Sequence, residues 1–274
     1  MNRTQIAELI VKRLRDAQAD VQEQYQSSSA AIGNFVVDDL LPEDLALQIH
    51  KAFPDNKDMK LKKSIREYKH VAAQMDEYDP ILEEAIYAFQ DERVVDLVHE
   101  ITGIKDLQPD ENLYAGGISA MAKDNFLNPH LDNSHDKDRD KWRVLNLLFY
   151  VTPEWQDAYG GHLELWPEGV KKPQITLHSR FNRLAVMATH QKSWHSVSPV
   201  KHAGTRQCVS NYYFSDSALT PEDRFHVTSF RGRPDQKLRD LVLQMDAKAR
   251  MALRKVFKKG VRENPHVYKK NQSK

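Results

Sequence analysis

The chain has 274 residues, and its 40 lysines and arginines against 39 aspartates and glutamates leave a formal net charge of +1. That length can bury a sizeable core, and no run approaches the ~18 apolar residues of a membrane span. The single cysteine, Cys208, excludes an internal disulfide framework and a cysteine-based zinc site, so a reducing, cytoplasmic setting is the expectation.

The opening segment MNRTQIAELIVKRLRD carries charges throughout and lacks the apolar run and cleavage site of a signal peptide. Ile6, Leu9, Ile10, Arg13 and Leu14 give it a helical stripe that ends before SSSAA. NFVV at 34–37 reads as a short strand. Pro42 opens a helix through Leu45, Ile49 and Phe53, and Pro54 stops it. From Lys57 to His70 the chain is charged with little apolar periodicity, which predicts a surface loop or flexible cover. Helical patterning resumes at Pro80, running through Ile86 and Phe89 and then Val94, Leu97, Val98 and Ile101, with Gly103 as the stop. Residues 1–103 therefore read as a helical portion supporting a core.

The pattern changes after Gly103. LYAGGISAMA, KWRVLNLLFYV, GGHLELW, PQITLH, RLAVMA, SWHSV and RQCVSNYYF are short apolar or alternating runs separated by turn signals. Such a series predicts a sandwich or barrel over 104–220, which Pro221 and Glu222 close. Residues 221–274 form a basic helical extension. Its helix, from about Asp235 to Phe257, sets Leu238, Val242, Met245, Ala249, Leu253 and Val256 on one side, expected to cover part of a sheet or to meet a partner. No nucleic-acid motif or aromatic interleaving accompanies the basic end, so it reads as a solvated helix face. Without repeats or an obvious linker, residues 1–274 are expected to be a single catalytic domain.

One constellation carries chemistry. His130 and Asp132 in NPHLDNSHD lie two apart, so an extended backbone turns both to one face while Leu131 points away. His195 in KSWHSV follows from a separate strand, expected across the barrel. Two imidazoles and a carboxylate can hold a six-coordinate ferrous ion on one side, leaving the other open to a bidentate co-substrate and oxygen. HxD alone is weak, and His135, His162, His178, His190 and His202 compete with it. His135 in particular fits a loop or substrate group.

Arg206 opens RQCVSNYYFS, where Arg206, Cys208, Ser210 and Tyr212 share a face. A buried arginine requires an anionic partner, and the far carboxylate of a dicarboxylic co-substrate supplies one. Cys208 is then a small wall residue. In KWRVLNLLFYV, Val144, Asn146, Leu148 and Tyr150 alternate against Arg143, Leu145, Leu147 and Phe149. Asn146, polar in an apolar strand, needs a partner: a co-substrate carboxylate or a backbone group. Tyr114 and Met121, on the strand preceding the metal residues, are further wall candidates or simply core, and Ser210 continues the lining.

HLD, YVTPEWQDAYGGHLELWPEG, FNRLAVMATHQKSWHSVSPV and RQCVSNYYFS, within 113–215, resemble the iron(II)- and 2-oxoglutarate-dependent dioxygenases, especially the prolyl-4-hydroxylase-like branch. The resemblance implies a mainly β fold, a double-stranded β-helix (jelly roll) core with N-terminal and C-terminal α-helices. It implies iron on His130, Asp132 and His195, and 2-oxoglutarate on Arg206, with structural turns at Gly160-Gly161 and Asn182-Arg183. The implied activity is a hydroxylase that uses dioxygen and 2-oxoglutarate, yields succinate and CO2, and puts one oxygen atom into an unactivated C–H bond. A small molecule, an amino-acid derivative or saccharide, is the expected substrate. Alternatives are a protein side-chain hydroxylase, a related halogenase, which Asp132 argues against, and a non-catalytic cupin-like binding protein.

Overall fold

The computed structural model describes residues 1–256 and 267–270. Its helices are α1 (Arg3–Asp16), α2 (Gln18–Ser28), α3 (Glu43–Lys51), α4 (Pro80–Ala88), α5 (Glu92–Thr102) and α6 (Lys237–Val256). The first strands are β1 (Asn34–Val37), β2 (Lys60–Lys63), β3 (Glu67–Ala72), β4 (Gln108–Pro109), β5 (Gly117–Met121) and β6 (Phe126–Leu131). They are followed by β7 (Trp142–Tyr150), β8 (Leu163–Leu165), β9 (Ile175–Leu177) and β10 (Arg183–Ala188). The last are β11 (His195–Val197), β12 (Arg206–Ser215) and β13 (Ser229–Phe230). The strands make one antiparallel sheet in the order β1-β10-β7-β12-β5-β3-β6-β11-β8-β9, with β13 on β6, β2 on β3 and β4 on β12. It curls into a nearly closed jelly roll.

Local chemistry explains the helical front. Asn2 caps α1 through a reciprocal capping box with Gln5. Asp79 and Asp91 accept the amides of Ile81 and Arg93 in the first turns of α4 and α5, and Gly103 ends α5 in the left-handed region at φ 72°. The expected first helix is two, broken at Ala17, whose φ of −100° and ψ of 2° leave helical geometry.

Helices α1 to α5 pack against one face of the β1-β10-β7-β12 half of the sheet. Ile6, Ile10, Leu82, Ile86 and Phe89 share a core with Leu147 and Phe149 of β7, Leu184 and Val186 of β10, and Val209 of β12. Intervening residues on the same strands, Tyr150, Ala185, Met187 and Cys208, point into the barrel with Leu163 and Leu165. Period-two alternation thus divides each strand between helix layer and cavity. Each fully buried large aliphatic contributes ~1.5–3 kcal/mol.

Four expectations need correction. The segment 57–70 is not a loop: β2 and β3 form a hairpin, and β3 inserts between β5 and β6, pairing with both. Pairing partners, rather than local apolar periodicity, make it a strand. The strand region does not close at Pro221, because β13 adds to β6 through Ser229↔Leu131 and Phe230↔His130. Tyr114 precedes β5 in a turn instead of lying on a strand.

The fourth concerns α6, which turns its apolar stripe outward: Leu238, Val242, Met245 and Leu253 are 83%, 52%, 64% and 50% exposed, and among the described side chains of the helix Leu243 alone is fully buried. Ala249 is exposed too. Its charged side meets the body instead, through Asp240 with Arg231 at 2.6 Å and Asp246 with Arg66. Phe257 and much of the basic end lie outside the described residues, as does the side chain of Val256. No described helix is long and apolar enough to cross a membrane.

The turn before β8 supplies a stability prediction. Gly160 has φ 73°, and a Cβ there would stand 2.1 Å from the carbonyl oxygen of Pro199. Gly160→Ala is expected to cost about 1–3 kcal/mol by forcing the two backbones apart. A denaturant titration reads it, and an unchanged midpoint would refute the required close approach.

Candidate metal centre and co-substrate pocket

His130, Asp132 and His195 each offer a ligand atom, and these atoms lie within 4.8 Å of one another. His130 Nε2 is 3.6 Å from Asp132 Oδ1, and His195 Nε2 is 3.5 Å from Asp132 Oδ2. The two histidines are register partners on neighbouring strands, β6 and β11. The expectation that His195 stands across the barrel is therefore wrong: hydrogen-bonded neighbours bring the imidazoles together, ring centroids 4.1 Å apart. Phe230 from β13 stacks on His130 at 5.1 Å.

Hydrogen bonds fix both rings for coordination. Nδ1 of His130 donates to the carbonyl of Asn128 (3.0 Å), and Nδ1 of His195 to that of Ser193 (2.9 Å). In neutral imidazoles this tautomer leaves each Nε2 lone pair facing Asp132. Burial and the neighbouring His195 push the His130 pKa down to about 3, which keeps its ring neutral. Burial opposes the charge on Asp132, but the Arg143 guanidinium, the two histidines and the Asn146 amide outweigh it and hold the carboxyl well below its ordinary range. Two imidazoles and one carboxylate are a suitable donor set for a divalent transition metal.

Both oxygens of Asp132 are oriented. Asn146 Nδ2 donates to Oδ2 at 2.8 Å, and Arg143 Nη1 lies 3.3 Å from Oδ1. Asn146 also lines the cavity, and the partner that the structure gives its amide is this carboxylate. Arg143 went unnoticed because strict alternation sets it on the helix side. The β7–β12 register shifts between Tyr213 and Phe214, pairing Leu145 with Tyr213 but Arg143 with Phe214. This bulge brings Arg143 onto the cavity side with Asn146, while Val144 and Leu145 both join the helix-layer core. Asn146→Ala is expected to lower Fe(II) affinity about 10–100-fold, by freeing the carboxylate's orientation. Anaerobic titration checks this, and unchanged affinity would rule out the role.

The centre opens on a cavity of about 660 Å³. Tyr114, Met121, Arg206, Cys208 and Ser210 all line it. Arg206 is 4% exposed. It donates to Met121 Sδ at 2.8 Å and lies 5.2 Å from the Tyr150 ring centroid, but its Nε has no partner. No carboxylate pairs with it among the described residues. A buried guanidinium with an unmet donor fits an anionic co-substrate. Burial pushes the Cys208 thiol up, so it stays protonated.

The competing histidines have other partners. His135 contacts Ser134 Oγ at 2.8 Å and packs on Trp142, lining the cavity outside the metal-ligand group. His162 is held by Ser179 and the carbonyl of Asp157. His178 sits 3.1 Å from Asp157, Lys192 donates to His190, and His202 stacks on Tyr159. Sequence reasoning missed Arg143, Phe230 and the β2–β3 lysines; Phe230 had no local signal, since only the fold returns it to His130.

Residues 116–214 match the family model of the 2OG-Fe(II) oxygenase superfamily. No curated protein matches the chain. Among solved structures, a Phytophthora capsici prolyl 4-hydroxylase superposes with TM-score 0.55 at 18% identity, over 89% of this chain and 75% of that one. A Pseudomonas putida prolyl-4-hydroxylase gives 0.52 at 14%, over 71% and 98%. HygX from Streptomyces hygroscopicus, with nickel, 2-oxoglutarate and hygromycin B bound, gives 0.50 at 13%, over 78% and 98%. At these identities the structural likenesses establish the shared fold.

Proposed function

We infer the reaction from the premise that this chain belongs to the 2OG-Fe(II) oxygenase superfamily and is an enzyme of that class. The best-supported reading is hydroxylation of an unactivated C–H bond in a small molecule. One observation carries it: a two-histidine, one-carboxylate group opens on the cavity in which Arg206 is buried without a carboxylate partner. When bound, Fe(II) would supply the oxidising chemistry with dioxygen as the oxidant, one oxygen atom entering the substrate and the other entering succinate as 2-oxoglutarate loses CO2.

In this reading, His130, Asp132 and His195 hold the metal. The carbonyls of Asn128 and Ser193 lock the imidazoles, while Asn146 and Arg143 orient the carboxylate. Arg206 pairs with the distal carboxylate of 2-oxoglutarate, with Met121 and Tyr150 supporting its guanidinium. Ser210 and Cys208 continue that wall, and Tyr114 contributes to the lining. The buried walls exclude bulk water and hold the reacting C–H bond close to the metal.

The cavity volume falls within the ~300–1,000 Å³ of small-molecule sites, which favours a small substrate over a protein side chain. The carboxylate of Asp132 occupies a metal position that halide transfer would need vacant, which favours hydroxylation over halogenation. Anaerobic Fe(II) titration with and without 2-oxoglutarate, followed by an aerobic product screen of a metabolite extract, tests the reading. The expected result is dependence of 2-oxoglutarate binding on metal and an oxygenated small molecule. Exclusive modification of protein, or halide incorporation without hydroxylation, would overturn the proposed substrate or reaction.

A further inference from the structure

Two lysines face one another on the cavity wall. In the β2–β3 hairpin Lys62 is the register partner of Lys69, and both line the cavity. Like charges directly opposite on a sheet destabilise the pair. Glu67, on the same face of β3, lies 3.1 Å from Lys69, whose side chain is only 20% exposed. Lys62 has no ion-pair partner of its own among the described residues. Burial, then the charge of Lys69, lowers the Lys62 pKa, the signature of crowded ammonium groups rather than lysines extended into solvent.

The wider cavity shares this bias. Eight lysine and arginine side chains and three carboxylates line it, although the entire chain carries a formal charge of only +1. Fe(II) and the two carboxylates of 2-oxoglutarate offset each other in charge. Arg143 is engaged with Asp132, and Arg66 and Arg250 share Asp246. Lys62 and Lys69 have one carboxylate between them. They are also close to the chemistry, since β3 pairs with the metal strand β6 at Glu67↔Leu127 and Tyr68↔Phe126.

We propose that Lys62 and Lys69 form an anion-binding pair for a phosphate or carboxylate carried by the primary substrate, making that substrate an anionic small molecule. The proposal rests on the oxygenase reading above. A bound oxyanion would relieve the lysine–lysine repulsion, and the arginine and lysine field would draw such a substrate into the cavity. Arg206 remains assigned to the co-substrate.

The test uses protein loaded with Mn(II) and saturated with 2-oxoglutarate, because Mn(II) broadens the resonances of nearby nuclei. Inorganic phosphate and acetate, followed by 31P and 1H line widths, distinguish a phosphate site from a carboxylate site; glycerol is the neutral control. Saturable broadening of at least one anion, but not glycerol, is expected. Lys62→Glu should weaken that anion at least about tenfold, Lys62→Gln should weaken it less, and Lys62→Arg should restore most of the affinity. Mn(II) and 2-oxoglutarate affinities should remain unchanged in all three variants.

Absence of saturable anion binding, or unchanged anion affinity in both Lys62→Glu and Lys62→Gln, would overturn the proposal. So would a matching loss of 2-oxoglutarate affinity, which would assign the lysines to the co-substrate. If the unaltered protein bound neither Mn(II) nor 2-oxoglutarate, the oxygenase reading itself would fail, a result visible before any anion is added.

Discussion

Asp132→Ala is expected to abolish coupled product formation and to weaken Fe(II) binding beyond the roughly 10–100-fold typical of losing an outer partner. It removes the carboxylate between two fixed imidazoles and leaves the buried Arg143 guanidinium without its ion-pair partner. Removing one member of a buried ion pair costs about 3–5 kcal/mol, so the metal-free variant should also melt earlier. Asp132→Asn separates the effects: its amide retains an oxygen for Arg143 but no ligand charge. Metal titration, product analysis and thermal melting read the three consequences. Product formation by a folded Asp132→Ala protein at the unaltered rate would eliminate the assigned ligand. His135→Ala is the control and should retain metal.

Arg206→Ala should produce the opposite combination. Loss of a buried charge-assisted contact is worth about 2–5 kcal/mol, or at least roughly 30-fold in 2-oxoglutarate affinity. Fe(II) affinity should be largely retained. The co-substrate-free protein should be no less stable, because Arg206 has a thioether and an aromatic ring for partners but no carboxylate. Arg206→Lys should not restore full affinity, since an ammonium cannot present a planar fork. Binding is read by titration into the Fe(II)-loaded protein, and stability by melting without 2-oxoglutarate. Unchanged 2-oxoglutarate affinity in a folded Arg206→Ala variant would refute the placement.

The sequence made the strand-rich core readable because buried and cavity-facing residues alternate, as in Leu147, Leu148, Phe149 and Tyr150. It also brought His130 and Asp132 together through their spacing. Arg143 was hidden because a bulge breaks that same alternation, and a bulge depends on the partner strand rather than on a local residue pattern. The β2–β3 hairpin was hidden for a related reason: EYKHVA becomes a strand through pairing with β5 and β6, and KLKK through pairing with EYKHVA. Helical periodicity located α6 but not its orientation. The ion pairs of Asp240 with Arg231 and of Asp246 with Arg66 attach the charged side to the body, a choice that an apolar stripe cannot reveal.

The β7 bulge also locks strand register. Were the same residues to alternate regularly with no bulge, Arg143 would return to the helix layer while Asn146 stayed beneath Asp132. A one-residue slip of the entire strand would do greater harm, turning Leu145, Leu147 and Phe149 into the polar cavity and burying Asn146 among the helices. Those misfolded arrangements lose apolar burial and the carboxylate's support together. Selection for the properly packed strand therefore also selects the geometry around Asp132, so fidelity of folding and readiness to receive metal are settled by the same alignment.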